Sequence, residues 1–229
     1  MAKTIGIVAV TAEGAANCYK QIVRFAGEQL GPNKHPEIIL INPSFDTILE
    51  AQQRDDWQTV GTILTRAAQR AVAAGAEFII IPANSVHFAY DQVAKHVSVP
   101  VLNLVEVVAD ECQHQGYKKV AVLGVGLTLS GGLYDQPLAE RSIKSIELTD
   151  AYRKTLDSII YNKLVHGIVT LASTKKVLSL CDELQRDGCE ALILACTELP
   201  LILHSTNTPL PVLDSTEVLA RAAVKLACS

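Results

Sequence analysis

Short apolar runs alternate along this chain with longer segments of helical periodicity, and this alternation constrains the fold more than any other feature. Each run ends in small or polar residues; the runs are 5–10, 37–41, 78–81, 120–125 and 191–195. The periodicity predicts helices between them, at 14–29, 57–74, 86–96, 104–115, 173–186 and 215–227. Strands that are apolar throughout are typical of parallel sheets covered by helices on both faces. The sequence therefore predicts an α/β protein with mainly parallel sheets.

An internal repeat refines this prediction. The segment GAEFIIIPANS (75–85) aligns without a gap with GCEALILACTE (188–198), at an offset of 113 residues (188 − 75). Near the start of each half, IGIVAV (5–10) aligns with VAVLGV (120–125) at an offset of 115 (120 − 5). Short apolar matches also arise by chance, but two matches at nearly one offset favour a duplication. We therefore expect two similar α/β lobes.

The repeat also suggests where the lobes divide and where ligands bind. We expect residues 1–100 and 210–229 to form the first lobe and residues 101–209 the second. Ligands of open parallel sheets bind beyond the carboxyl ends of the strands. PANS (82–85) and ACTE (195–198) follow equivalent strands, so we expect an active site in the cleft between the lobes.

Composition excludes several classes of partner. The 229 residues are 49% hydrophobic, carry a net charge of −4 and contain no Lys/Arg run, which argues against nucleic acid and anionic membranes. The N-terminal apolar run is interrupted by Glu13, and no segment has the length of a membrane span. The six cysteines show no metal-binding or CxxC spacing. We expect a cytoplasmic protein with reduced thiols that acts on a small molecule.

Two motifs resemble those of the aspartate/glutamate racemase superfamily. PANSVH (82–87) and ACTELP (195–200) are similar to its paired strand ends, which read Cys-Asn-Thr or Cys-Asn-Ser in one half and Cys-Thr-Glu in the other. Further likenesses are TIGI (4–7), Gln52 with Arg54 and Trp57, LGVGLT (123–128) before Tyr134, IIY (159–161) and LDST (213–216). The resemblance implies two pseudo-twofold α/β lobes, a homodimer, and an isomerase that removes the α-proton of an amino acid without pyridoxal phosphate or metal.

The same resemblance implies roles for individual residues. Cys196 corresponds to one of the family's two acid/base thiols, and its place after an apolar strand and before a helix start favours a thiolate over an inert core cysteine. Hydrogen-bond donors must stabilise the substrate carboxylate as charge develops. The candidates for binding the substrate are Asn84, Ser85, Thr197, Glu198, Gln52 and Thr128. Glu198 has an alternative role as a helix-capping carboxylate, and Thr128 as a helix N-cap.

Ala83 is the main departure from the family pattern, because it stands where many relatives have the first cysteine. An alanine methyl neither accepts nor donates a proton, so the two-thiol mechanism does not operate as written. Three interpretations remain. The chain is an inactive or substrate-trapping form of an aspartate/glutamate-type racemase; or it performs single-thiol chemistry at Cys196, as arylmalonate decarboxylases do; or a water or a neighbour such as His87 replaces the first thiol. A non-catalytic small-molecule binding protein is a further alternative.

The residues expected to bind a second carboxylate also depart from the family. Relatives carry basic residues at the positions of Thr47 and Val165. A dicarboxylic amino acid therefore needs Gln52, Arg54 or His166 as a substitute partner. Gln52 corresponds to a substrate-contacting glutamine in relatives of the glutamate type, which keeps aspartate and glutamate among the candidate substrates.

Overall fold

The computed structural model describes residues 2–229, which divide into two compact units. The first contains the described residues up to Val107 together with Thr216–Ser229, and the second is Val108–Ser215. The boundaries expected from the sequence lie a few residues earlier in the chain. Each unit has one four-stranded parallel sheet with the order β2-β1-β3-β4 in the first and β6-β5-β7-β8 in the second. The predicted α/β class with two similar lobes is confirmed.

The elements of the first unit follow a regular βα alternation. They are β1 (Ile5–Val8), α1 (Ala12–Leu30), β2 (Ile38–Ile41), α2 (Phe45–Gln53), α3 (Trp57–Ala73), β3 (Phe78–Ile80), a 3-10 helix (Ser85–Ala89), α4 (Tyr90–His96), β4 (Val101–Leu102), α5 (Leu104–His114), which contains the unit boundary, and the C-terminal α10 (Ser215–Ala227). Side chains at the helix starts cap several of them: Thr11 accepts a hydrogen bond from the N–H of Gly14, and Asp56 accepts one from Thr59.

The second unit repeats this alternation. Its elements are β5 (Lys119–Leu123), α6 (Gly126–Ser130), α7 (Asp135–Glu140), β6 (Lys144–Ile146), α8 (Asp150–Asn162), a 3-10 helix (Leu164–His166), α9 (Leu171–Arg186), β7 (Ala191–Leu194), a 3-10 helix (Leu199–Leu201) and β8 (Val212–Asp214). The central strands β5 and β7 are almost entirely buried, as continuous apolar runs require.

Strand register supports the duplication. Ile5 pairs with Phe78 in the first sheet, and Val120 pairs with Ala191 in the second. Ile5 corresponds to Val120 at the offset of 115, and Phe78 corresponds to Ala191 at the offset of 113, so the two pairings are equivalent. The equivalent acids also act alike: Glu77 accepts a hydrogen bond from the N–H of Thr4 at 2.7 Å, and Glu190 accepts one from Lys119 at 3.2 Å. Each carboxylate ties the start of a central strand to the strand beside it.

Several elements were missed or merged in the sequence-based prediction. The sheet-edge strands β4, β6 and β8 are only two or three residues long, too short to form a recognisable apolar run. The helices α2, α6, α7 and α8 were also not predicted. The helix expected at 86–96 is a 3-10 helix followed by α4. These differences lie outside the central strands and leave the order of the sheets unchanged.

Candidate active site

The PANS loop follows β3 in the first unit. The strand ends at Ile80, and the N–H of Ala83 donates to the carbonyl of Ile81 at 2.9 Å, which turns the chain sharply after Pro82. Ala83 is partly exposed, whereas the Asn84 side chain is buried with 6% exposure. The 3-10 helix then begins at Ser85. This geometry places the alanine and its two polar neighbours beyond the carboxyl end of a central strand, as predicted.

Gln52 and Ser85 come together in this unit. The Nε2 of Gln52 donates to the hydroxyl of Ser85 at 3.0 Å. Gln52 lies in the last turn of α2 and is only 7% exposed, so the hydrogen bond fixes the amide against the PANS loop. The two candidates for binding the substrate, which are 33 residues apart in sequence, are therefore neighbours in the fold.

His87 is held by the backbone through both ring nitrogens. Its Nε2 accepts a hydrogen bond from the N–H of Leu104 at 3.1 Å, so Nδ1 carries the proton and donates to the carbonyl of Ala83 at 2.8 Å. Burial lowers the pKa of His87 to about 4. The lone pair of the neutral imidazole already accepts the hydrogen bond from Leu104, so no ring nitrogen is free to act as a base. This argues against His87 as a replacement for the first thiol. His87 instead positions the PANS loop against the start of α5.

The ACTE loop follows β7 in the second unit. The N–H of Ala195 still donates to Leu123 of the neighbouring strand at 2.8 Å, and Cys196 is the first residue beyond that ladder. The Sγ of Cys196 donates to Oε2 of Glu198 at 3.0 Å. Thr197, between them, is partly exposed. The loop thus places a thiol and a carboxylate in direct contact at the carboxyl end of a central strand.

The surroundings of Cys196 oppose the thiolate that the sequence favours. Burial, followed by the charge of Glu198 and its hydrogen bond, raises the pKa of Cys196 well above its ordinary value. The 3-10 helix after the loop has only three residues, and the backbone N–H groups of Glu198 and Leu199 do not offset these effects. These surroundings favour the thiol form of Cys196, which can donate a proton, over the dipole-stabilised thiolate expected from the sequence, and the role of Cys196 stays a prediction.

Two residues near this loop were not predicted as part of the site. Partial burial raises the pKa of Tyr161, and the charges of Asp157 and Glu198 raise it further, so the phenol shares the Glu198 carboxylate as a neighbour with the thiol. Asp157, one turn earlier on α8, accepts a hydrogen bond from the N–H of Gly126 at 2.7 Å and thereby fixes the loop after β5. The IIY segment was the only sequence signal for this region.

Thr128 lies in α6 and is 3% exposed. Its backbone N–H donates to Val125, which is the N-cap of that helix, so the alternative N-cap role of Thr128 is not observed. Thr128 borders a cavity of about 730 Å³ in the second unit, together with Tyr134 and Arg153. Its role in holding a carboxylate stays a prediction.

The positions expected to be basic carry no charge here. The hydroxyl of Thr47 donates to the carbonyl of Ser44, and Val165 is 53% exposed in the 3-10 helix after α8. The proposed substitutes Arg54 and His166 are exposed.

Two further features are absent from residues 2–229. No helix in this part of the chain combines the length and apolarity needed to cross a membrane. The same residues contain no group of three or more His, Cys, Asp or Glu side chains arranged to hold a metal ion.

Comparison with known proteins decides the family. Residues 5–223 match the family described as Asp/Glu/hydantoin racemase. The chain belongs to this racemase family. It is similar to the broad specificity amino-acid racemase RacX of Bacillus subtilis (strain 168), at 28% identity over 66% of this chain and 64% of RacX, so the match covers slightly less than two thirds of that relative.

Solved structures of the racemase family show the same fold. The crystal structure of an aspartate racemase homologue from Pyrococcus horikoshii OT3 superposes with a TM-score of 0.89 at 30% identity, covering all of both chains. Arylmalonate decarboxylase is more distant, with a TM-score of 0.54 and 16% identity over 98% of this chain and 92% of that chain, which indicates a shared fold only.

Proposed function

We propose that this member of the racemase family is a cofactor-independent enzyme that protonates a carbanion next to a carboxylate, with Cys196 as the proton donor. The observation that carries the proposal is the 3.0 Å contact of the Cys196 Sγ with Glu198 beyond a central strand, while Ala83 occupies the equivalent place in the other repeat. A single thiol supports proton delivery from one side of a carbon atom.

Loss of carbon dioxide from the substrate generates the carbanion, so no second thiol is needed to remove a proton. In a malonate-type substrate the bond from the central carbon to one carboxylate breaks, and its electron pair stays on that carbon. The carbanion takes the Sγ–H proton of Cys196, and the resulting thiolate regains a proton from water. The nearby carboxylate of Glu198 disfavours the thiolate and so keeps Cys196 protonated until the carbanion forms. It also makes the thiol a weaker acid, but a carbanion is a far stronger base than a thiolate and still takes the proton.

The remaining carboxylate needs donors that stabilise the negative charge spread onto it. We propose that Asn84, Ser85 and Thr197 supply them, with Gln52 orienting the Ser85 hydroxyl through their 3.0 Å hydrogen bond. Thr128 is a further candidate. The uncharged Thr47 and Val165 provide no partner for a second carboxylate on the substrate side chain.

Racemisation of an amino acid such as aspartate or glutamate is the second candidate, and family membership favours it. It requires removal of the α-proton from one face and delivery to the other, which two thiols accomplish in the mechanism that the family motifs imply. With Ala83 present, the chain would be an impaired or substrate-trapping racemase.

One experiment tests both candidates. The protein, its Ala83→Cys variant and its Cys196→Ala variant are incubated in heavy water with D- and L-amino acids and with arylmalonates, and α-deuterium incorporation, chirality and carbon dioxide release are followed. We expect the unaltered protein to release carbon dioxide or exchange hydrogen, and Cys196→Ala to lose that activity. Racemisation that appears only in Ala83→Cys supports the second candidate. Binding without turnover by all three proteins contradicts both and leaves a binding protein.

A further inference from the structure

A basic cavity lies in the second unit, lined by residues of α8 and α9 and by Lys163 between them. Its volume is about 260 Å³. Two of its lining residues are apolar. The others are three lysines and three hydroxyl residues: Lys154, Lys163, Lys176, Thr155, Ser158 and Ser173. None of these residues belongs to the PANS or ACTE loop, so the cavity is distinct from the candidate active site.

Helical spacing brings these side chains together. Lys154 and Ser158 are four residues apart on α8, and Ser173 and Lys176 are three residues apart on α9, so each pair projects from one face of its helix. Lys163 is the C-cap residue of α8. The two helix faces and this lysine therefore converge on the cavity.

Lys163 is positioned by a buried hydroxyl. Its Nζ donates to the Oγ of Ser173 at 3.0 Å, and the hydroxyl of Thr170 donates to the same oxygen at 2.8 Å. Ser173 is 1% exposed, and its backbone N–H is bonded to Thr170, the N-cap of α9. This network holds one ammonium group, itself only partly exposed, beside the first turn of a 16-residue helix.

The charge of the cavity is not balanced by the protein. No Asp or Glu is among its lining residues. Within residues 2–229, Lys154, Lys163 and Lys176 form no ion pair at 4 Å or less. Asp157, on the same helix as Lys154, is bonded to Gly126. Three like charges around one cavity repel each other, and an anion placed among them offsets that repulsion.

We propose that this cavity is a binding site for a small oxyanion of the phosphate type. Lysine ammonium groups and hydroxyls are suitable donors for phosphate oxygens, and the first turn of α9 adds a favourable dipole. The volume is below the roughly 300–1,000 Å³ of sites for drug-sized ligands, which favours inorganic phosphate or the phosphate group of a small metabolite over a nucleotide.

Isothermal titration of the full chain at low ionic strength tests the proposal, with inorganic phosphate and glycerol 3-phosphate as separate titrants and potassium chloride as the ionic control. The variants are Lys163→Gln and Lys176→Gln. Lys175→Gln is the matched control, because Lys175 is exposed on the same helix but does not line the cavity. Thermal unfolding checks that each variant folds. If Lys163→Gln fails to fold, Lys176→Gln provides the test.

We expect saturable binding of phosphate but not chloride, weakened at least about tenfold by either cavity variant, because a hydrogen bond to a charged group contributes roughly 1.5–3 kcal/mol. Lys175→Gln should change the affinity by less than about threefold, as expected for a surface charge. Tighter binding of glycerol 3-phosphate identifies a phosphorylated metabolite, and tighter binding of inorganic phosphate identifies the free ion. Absence of saturable binding, or equal weakening by Lys175→Gln, overturns the proposal.

Discussion

Replacing His87 should change how the stability of the first unit depends on pH. The imidazole is buried, accepts from Leu104 and donates to Ala83, and burial lowers its pKa from 6.5 to about 4. The unfolded chain therefore binds a proton that the folded chain excludes between about pH 6.5 and 4. The stability that depends on neutral His87 is complete above that window and is lost as the pH falls through it.

The magnitude follows from the pKa difference. Each pKa unit corresponds to about 1.4 kcal/mol, so the window from 6.5 to about 4 corresponds to about 3 kcal/mol in total. Between pH 8 and pH 5 the loss attributable to His87 is about 2 kcal/mol. A His87→Gln variant should be less stable at pH 8, because the backbone groups of Ala83 and Leu104 lose partners at about 1–3 kcal/mol for each buried group. Its further loss on going to pH 5 should be about 2 kcal/mol smaller than that of the unaltered protein.

Trp57 provides the assay. It is the single tryptophan, belongs to the first unit, and packs at 4.9 Å between ring centroids against Phe88, the residue after His87. Denaturant unfolding followed by its fluorescence at pH 8 and pH 5 gives the two free-energy differences. A His35→Gln variant, which removes an exposed imidazole from the first unit, is the matched control. Equal pH dependence of His87→Gln and the unaltered protein would refute the assignment of His87 as a buried neutral group.

Two further predictions concern the thiol and the duplication. Glu198→Gln should lower the pKa of Cys196, so the alkylation rate of this thiol should begin to rise at a lower pH. The measurement uses a Cys228→Ser background, which removes the other partly exposed cysteine. An unchanged dependence of the alkylation rate on pH would show that Glu198 does not hold the thiol protonated. Glu77→Gln and Glu190→Gln should each lower the free energy of unfolding in denaturant, because each exchanges a charged acceptor at the start of a central strand for a neutral one; an effect at only one position would contradict their equivalence.

The sequence predicted the elements whose apolar run or helical period was long enough to recognise. The central strands and the helices α1, α3 and α9 lie where the apolar runs and the helical periodicity indicated. The strands β4, β6 and β8 could not be predicted in this way, because a strand of two or three residues has no period. They form through pairing with a central strand, and that partner is set by the topology and not by local sequence.

The candidate site was predictable in position but not in electrostatics. Its loops follow from strand ends that a repeat brings into equivalent places, so the repeat and the family resemblance together located Ala83 and Cys196. The protonation of Cys196 depends instead on burial and on the direction of the Glu198 side chain, neither of which a motif encodes. An adjacent carboxylate is a disadvantage for a thiol that must first remove a proton, since it opposes the thiolate. The same carboxylate keeps the thiol protonated until a strongly basic carbanion takes its proton. In a chain that has alanine at the equivalent position of the other repeat, this asymmetry favours Cys196 as an acid.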